Sequence, residues 1–285
     1  SQQTPERTCD ATAEHPIEAV RRELSSANAA AAPAERVCAG DASVLPGSDV
    51  CLLAATATSR PHAPRVRTAL AELCNAHGKW VRTALNYFDG SEASTDSVTY
   101  VSCLHSTTFV PGFKTRYWRD ILIPTFMRPF SHVLLFDSDM EVSPLHFDLI
   151  GLLRFGTAAN VSIISPAPIG AGAGMFNLGA HPDSSLRRAC VGGKAEPPYP
   201  KPEEQCAVCR QGTVEVKAPL FTAAAWGVVH KRIFADAPDY VLVAAEGIDN
   251  VWCGLVAHEL HGCTWPRVKN PKNTMLPNCV GISCA

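Results

Sequence analysis

The sequence predicts an α/β fold, a single Rossmann-like domain built around a mostly parallel sheet and containing disulfides. Short apolar runs of strand length, such as 50–56 and 132–136, alternate with segments whose apolar residues recur at helical spacing. Strands that alternate with helices imply crossover connections, and therefore parallel pairing. The 285 residues also include twelve scattered cysteines, which favour disulfides over a set of buried thiols.

The predicted elements follow in a regular order along the chain. Strands are expected at 50–56, 80–88, 98–104, 132–136 and 161–166, and helices at 61–77, 114–123 and 251–260. Residues 1–48 are rich in Ala, Pro, Glu and Ser, so we expect a stem or a peripheral wrap there, fastened through Cys9 or Cys38. The domain itself is expected to cover 49–285.

The net charge restricts the kind of binding partner, and the cysteines indicate the cellular compartment. A formal charge of -2 provides no basic face, which argues against a nucleic-acid partner. Only the Cys206–Cys209 pair has the spacing of a zinc half-site, and no second pair completes it. Disulfides and the sequon at Asn160 favour the lumen of the secretory pathway. No apolar run reaches membrane-spanning length, so a membrane is expected only through a removed anchor.

The strongest chemical signal is the pair Asp137 and Asp139 directly after the most apolar strand. Alternate residues of an extended segment point to the same side, so both carboxylates can approach one ion. Hard oxygen ligands of this kind suit Mg²⁺ or Mn²⁺. The competing interpretation is a structural turn, because Asp is common where strands end.

The segment 132–139, ending in Asp-Ser-Asp, resembles the Asp-x-Asp strand of GT-A glycosyltransferases. Further stretches resemble a plant and algal family, the lysine-ketoglutarate-reductase-trans-splicing-related proteins, which are GT-A-like. These stretches are 87–90, 114–124, 164–167, 214–226 and 247–249. The chain departs from that family in having Asp-Ser-Asp instead of Asp-Glu-Asp, and the resemblance fades after about residue 262.

The resemblance implies a metal-dependent glycosyltransferase of the secretory pathway, located in the Golgi. Mn²⁺ or Mg²⁺ is the expected cofactor, a nucleotide sugar is the donor, and a glycan or a glycoprotein is the acceptor. UDP-sugars are favoured over GDP-sugars.

Candidate donor-binding residues are Thr56, Asp89, Lys114 and Asp137. Thr56, Asp89 and Asp137 lie where strands end, at one edge of the predicted sheet, and Lys114 begins the helix before the metal strand and matches the family pattern. Asp89 is also half of an Asp-Gly turn signal, and Lys114 is alternatively a solvated charge. The aromatic residues Phe221 and Trp226 are assigned to the core in preference to sugar stacking.

The remaining candidates lie near the C-terminal helix. The resemblance to inverting GT-A enzymes implies that Asp249 or Glu246 is the general base that deprotonates an acceptor hydroxyl, although Asp249 can equally be a helix N-cap. His261 is the candidate third metal ligand beside Asp137 and Asp139, with His258 as an alternative and a structural histidine as the competing interpretation.

Two other functions remain open at this point. One is a sugar nucleotidyltransferase, but the segment 54–59 lacks the Gly-rich basic loop expected after its first strand. The other is a secreted, non-catalytic glycan-binding protein on a transferase fold. Metal-dependent binding of a nucleoside diphosphate distinguishes the transferase from this binding protein.

Overall fold

A computed structural model describes ten segments of the chain: residues 38, 50–90, 103–144, 147–158, 160–166, 190–191, 207–210, 217–242, 248–261 and 279–283. Only the backbone is described for the strands 190–191, 207–210 and 279–283 and for residues 241, 249, 250 and 261. The predicted stem therefore lies outside the described residues, except for Cys38. No helix in the described part of the chain is long and apolar enough to cross a bilayer.

Nine described strands form one mixed sheet in the order β3-β2-β1-β4-β8-β5-β9-β7-β6. They are β1 (Leu52–Thr58), β2 (Val81–Tyr87), β3 (Leu104–Thr108), β4 (His132–Asp137), β5 (Ile163–Pro166), β6 (Cys190–Val191), β7 (Ala207–Arg210), β8 (Leu220–Thr222) and β9 (Cys279–Ser283). The four strands β3-β2-β1-β4 pair in parallel, while β7 and β8 run against the rest. The predicted fold class, an α/β domain around a sheet with a parallel core, is confirmed.

Helices cover both faces of the sheet. They are α1 (Ala63–His77), α2 (Lys114–Asp120), α3 (Pro124–Met127), α4 (Leu149–Ala158), α5 (Ala223–Val229), α6 (Asp239–Leu242) and α7 (Asp249–His261). A 3₁₀ turn (Arg60–His62) precedes α1, and a π-helical turn (His230–Phe234) extends α5.

Strand β1 is buried over its whole length because it lies between these two layers. Leu52 and Ala54 point to the face covered by α1 and α4, here called the α1 face. Leu53 and Ala55 point to the opposite face, here called the tryptophan face. An unbroken apolar run is what a parallel strand with two covered faces requires.

The tryptophan face is named for the indole rings that fill it. Trp118, Trp226 and Trp252 are at most 3% exposed and pack edge-on against Phe221 and Phe234. The indole N–H of Trp226 donates to the carbonyl of Leu122 at 2.7 Å, so its polar atom is satisfied inside the core. The assignment of Phe221 and Trp226 to the core is confirmed.

Two disulfides join the sheet to its surroundings. Cys38 pairs with Cys51 and fastens the N-terminal segment beside β1, and Cys74 pairs with Cys103 to join α1 to the start of β3. Cys253 is disulfide-bonded as well, and none of the cysteines whose side chains are described is free. The disulfide prediction is confirmed, and Cys206 of the zinc alternative lies outside the described residues.

Several element boundaries differ from the prediction. Strand β3 covers Leu104–Thr108 instead of 98–104, because a polar, half-buried edge strand lacks the apolar run used to locate it. Residues 98–102 lie outside the described part. Helix α2 ends at Asp120, and a separate turn of helix begins at Pro124. The short antiparallel strand β8 was not predicted.

Candidate active site

One cavity opens at the carboxyl ends of the parallel strands, where α/β sheets bind their ligands. Its volume is about 540 Å³, which is the size of a small-molecule site. Four pieces of chain line it: the ends of β1, β2 and β4, and the start of α2. The lining residues are Ala57, Phe88, Gly112, Phe113, Lys114, Asp137, Ser138 and Asp139.

The two aspartates reach this cavity through the end of β4 and the turn after it. The Asp137 N–H donates to the carbonyl of Lys217 at 2.9 Å, which extends the pairing between β4 and β8 by one step. The Met140 N–H then donates back to the Asp137 carbonyl at 3.0 Å and closes a tight turn. From α1, the Arg65 guanidinium donates to the Asp139 carbonyl at 3.2 Å. Hydrogen bonds to Lys217 and from Arg65 therefore fix the backbone that carries both carboxylates.

This geometry corrects one step of the sequence argument. Only Asp137 belongs to the strand, whereas Ser138 and Asp139 lie in the turn. The two aspartates do line one cavity, but the turn brings them there, because an extended segment does not continue past Asp137.

Lys114 forms an ion pair with Asp137. Its Nζ lies 2.5 Å from the Asp137 Oδ1, and both side chains are about three-quarters buried, with 25% and 23% of their area exposed. Burial raises the pKa of the Asp137 carboxyl; the Lys114 ammonium opposes this shift without cancelling it, and the charge of Asp139 adds to it. The lining of the cavity therefore brings two carboxyl groups together with one ammonium group.

Phe88 and Phe113 contribute two aromatic rings to the same lining, here called the aromatic wall. Phe113 is 52% exposed, which is unusual for so apolar a ring. It belongs to the segment 109–113, here called the rim loop. Gly112 in this loop adopts a φ of 101°, a conformation that side chains disfavour, and its N–H donates to the Phe88 carbonyl at 2.8 Å.

The buried side chain of Asn86 holds the rim loop in place. Its Nδ2 donates to the Val110 carbonyl at 3.0 Å, and its Oδ1 accepts from the Val110 N–H at 2.8 Å. The Thr108 hydroxyl donates to the same Oδ1 at 2.9 Å. These bonds hold the rim loop, and with it the exposed ring of Phe113, in one position at the cavity.

Two of the predicted donor-binding residues lie outside this lining. Thr56 is 1% exposed inside β1, and its hydroxyl finds no hydrogen-bond partner among the described residues. The strand continues to Thr58, so the alternation of side chains turns Thr56 toward the α1 face and leaves Ala57 at the cavity. The Asp89 carboxylate accepts from the Arg60 N–H at 2.7 Å and braces the 3₁₀ turn before α1.

The C-terminal candidates remain predictions. Glu246 lies outside the described residues, and Asp249 and His261 are described only as the first and last residues of α7. Among the described side chains, no group of three His, Cys, Asp or Glu residues could surround a metal ion. Asp137 and Asp139 are the two described carboxylates of this cavity, and one or two carboxylates are what a Mg²⁺-type site takes from a protein before phosphate and water complete its shell.

Phe88, Gly112 and Phe113 are site residues that the sequence argument missed. The signal for them was the run Phe-Val-Pro-Gly-Phe immediately before Lys114. Gly after Pro marks a turn, and a turn flanked by phenylalanines next to a candidate donor-binding lysine identifies an exposed aromatic loop.

Comparison with known proteins leaves the family open. No family model matches the sequence, and no curated protein matches it. The bifunctional glycosyltransferase WbbM, in its apo state, aligns with 65% of this chain and 35% of its own, at 11% identity and a TM-score of 0.34. An active-site mutant of LgtC aligns with 82% of this chain and 87% of its own, at 12% identity and a TM-score of 0.34. Similarities this low establish neither a family nor an activity for this chain.

Proposed function

We propose that this chain is a metal-dependent glycosyltransferase that moves a sugar from a nucleoside diphosphate donor to a glycan or glycoprotein acceptor. The observation that supports this most is the composition of one cavity. Its lining combines the charged side chains of Lys114, Asp137 and Asp139 with the rings of Phe88 and Phe113. A nucleotide sugar needs both kinds of group, because its diphosphate is charged and its base is flat and apolar on both faces.

In this proposal the charged residues of the cavity, Lys114, Asp137 and Asp139, hold the diphosphate. Asp137 and Asp139 would hold Mn²⁺ or Mg²⁺, since Mg²⁺-type sites use one or two carboxylates and complete their shell with substrate phosphate. A bound metal supplies neutralisation of the negative charge that develops on the departing nucleoside diphosphate. Lys114 supplies a further positive charge that is already inside the cavity, and it orients the phosphates by donating hydrogen bonds.

The aromatic wall holds the nucleobase in the same proposal. Stacking on Phe88 and Phe113 stabilises any base, so it binds the donor without selecting between UDP-sugars and the less favoured GDP-sugars. Asp89, which braces the neighbouring turn, is the proposed polar contact to the base or ribose. Asp249, with Glu246 as the alternative, is the proposed general base for the acceptor hydroxyl. The proposed location is the Golgi lumen.

Calorimetric titration tests the proposal directly. UDP and GDP are titrated with and without Mn²⁺ into the wild-type chain, into Asp139→Ala and into Asp236→Ala. Asp236 is an exposed aspartate outside the cavity, so the control variant removes the same charge without changing the site. We expect one nucleotide to bind only with Mn²⁺, and the Asp139→Ala variant alone to lose this binding.

Turnover is measured on the same proteins by release of free nucleotide from a panel of UDP-sugars and GDP-sugars. Binding without release or transfer would favour the non-catalytic binding protein. Absence of nucleotide binding under every condition would refute the proposal and leave the Asp-Ser-Asp segment as a structural turn.

A further inference from the structure

The Lys114–Asp137 ion pair places a resident cation on one of the two carboxylates that the proposed function assigns to the metal. The contact is direct, since the Nζ and the Oδ1 are 2.5 Å apart. A carboxylate oxygen that accepts a hydrogen bond from an ammonium group has less electron density to offer a metal. The ammonium charge also repels any divalent ion that approaches Asp137.

The two partners differ in their freedom to move. Asp137 ends β4, and its backbone is bonded to Lys217 on one side and to Met140 on the other. Lys114 carries its ammonium on a flexible four-carbon stem, and the Nζ lies 5.4 Å from the centre of the Trp118 ring. Separation of the pair therefore requires the lysine to swing, while the aspartate stays in place.

We propose that Lys114 exchanges partners during donor binding: it neutralises Asp137 in the empty site and moves to the diphosphate when a divalent metal takes over that carboxylate. This inference rests on the proposed function and concerns the coupling between its two ligands. The metal must displace an ammonium group when it binds alone. When it binds together with a diphosphate, the displaced ammonium gains a new anion in the same cavity.

The exchange makes metal and nucleotide binding mutually dependent. Metal alone binds weakly because the Lys114–Asp137 pair must be broken without compensation. A nucleoside diphosphate alone competes with Asp137 for the same ammonium group. Each ligand therefore raises the affinity for the other by the same factor, as linkage requires. A lysine that only contributed background charge would not produce this coupling.

The test compares binding of Mn²⁺ alone with binding of UDP at saturating Mn²⁺, in the wild-type chain and in Lys114→Met. Free Mn²⁺ is followed by its paramagnetic resonance signal, and UDP by calorimetry. We expect Lys114→Met to bind Mn²⁺ alone about five-fold more tightly, since an ion pair that is about three-quarters buried no longer competes. The same variant should bind UDP with Mn²⁺ about ten-fold more weakly, since a charged hydrogen bond to phosphate is lost.

Lys217→Met is the matched control. Lys217 is a second cation whose charge lowers the pKa of Asp137, but it acts more weakly than the charge of Lys114. Removing it changes the net charge equally and should alter Mn²⁺ affinity less than about two-fold. Lys114→Gln gives a second removal of the ammonium if Lys114→Met does not fold.

The outcomes separate the inference from the proposed function. Metal-dependent binding of UDP or GDP by the wild-type chain tests the function alone. The ratio of Mn²⁺ affinities between Lys114→Met and the wild type tests the exchange. Equal or weaker Mn²⁺ binding by both Lys114 variants overturns the exchange even if the nucleotide binds as proposed.

Discussion

Asn86 offers the sharpest test of how the sheet supports the aromatic wall. Its side chain is buried at the end of β2 and makes three hydrogen bonds, two to the backbone of Val110 and one to the hydroxyl of Thr108. In Asn86→Ala all three bonds disappear, and the N–H and C=O of Val110 lose their partner. The Gly112 N–H still donates to the Phe88 carbonyl in this variant.

The expected cost follows from these contacts. Each hydrogen bond contributes about 0.5–1.5 kcal/mol net, and partly buried groups left without a partner lose somewhat more. Water can reach part of the loop, so we expect Asn86→Ala to lower the free energy of unfolding by about 2–4 kcal/mol. Thr108→Val removes one of the three bonds and should cost about 0.5–1.5 kcal/mol.

Urea denaturation under non-reducing conditions measures these losses. Hydrogen exchange gives the local readout, because the Val110 N–H donates to Asn86 and should exchange much faster in Asn86→Ala. The amides of β1 serve as an internal reference. A loss below about 1 kcal/mol, together with unchanged exchange at Val110, would refute the clamp.

Four further predictions concern separate parts of the molecule. Phe113→Ala should weaken metal-dependent nucleotide binding by about 1–3 kcal/mol with little effect on stability, because the ring is 52% exposed; unchanged affinity in calorimetry would remove Phe113 from the site. Replacing both Cys74 and Cys103 by Ser should destabilise the fold by about 3–4 kcal/mol in urea, because their disulfide closes a loop with a separation of 29. The wild type treated with reductant should lose the same free energy of unfolding, together with the contribution of its other disulfides. Burial lowers the pKa of His132 to about 4, below its unfolded value of about 6.5, so the unfolded chain binds the extra proton. The free energy of unfolding should therefore be undiminished above pH 6.5 and fall by at most about 3 kcal/mol as the pH drops to 4, and His132→Gln should flatten that part of the pH profile. Asn160 is exposed at the turn before β5, so we expect the chain made in a secretory host to lose mass with a glycosidase specific for N-linked glycans, and Asn160→Gln to show no such loss. An unglycosylated secreted wild type would contradict this.

The sequence predicts the central sheet and the charged residues of the cavity. Strands β1 and β4 are continuous apolar runs because both of their faces are covered. A run of that kind predicts a strand even when the strands that pair with it are unknown. Asp137 and Asp139 follow such a run directly. Their position at the carboxyl edge therefore depends only on where β4 ends.

Features that depend on contacts between distant parts of the chain could not be predicted from a local run of residues. The apolar run ends at Thr56 and therefore predicts that Thr56 lies at the cavity. The strand continues to Thr58, however, so Thr56 lies inside the sheet. The aromatic wall depends on a loop held by Asn86, 24 positions before Val110. Strand β8 is three residues long, and only its pairing with β4 and β5 reveals it.

The position of β8 has a consequence for the order of folding. Strand β8 lies between β4 and β5 and pairs with both, so β5 joins the first four strands only through it. Leu220 pairs with Leu134 and with Ile164, both more than fifty positions earlier. Residues near 220 are synthesised after all four strands of the unit β3-β2-β1-β4. During synthesis the unit β3-β2-β1-β4 can therefore assemble while the open edge of β4, which leads to the aspartates, waits for residues near 220 to emerge.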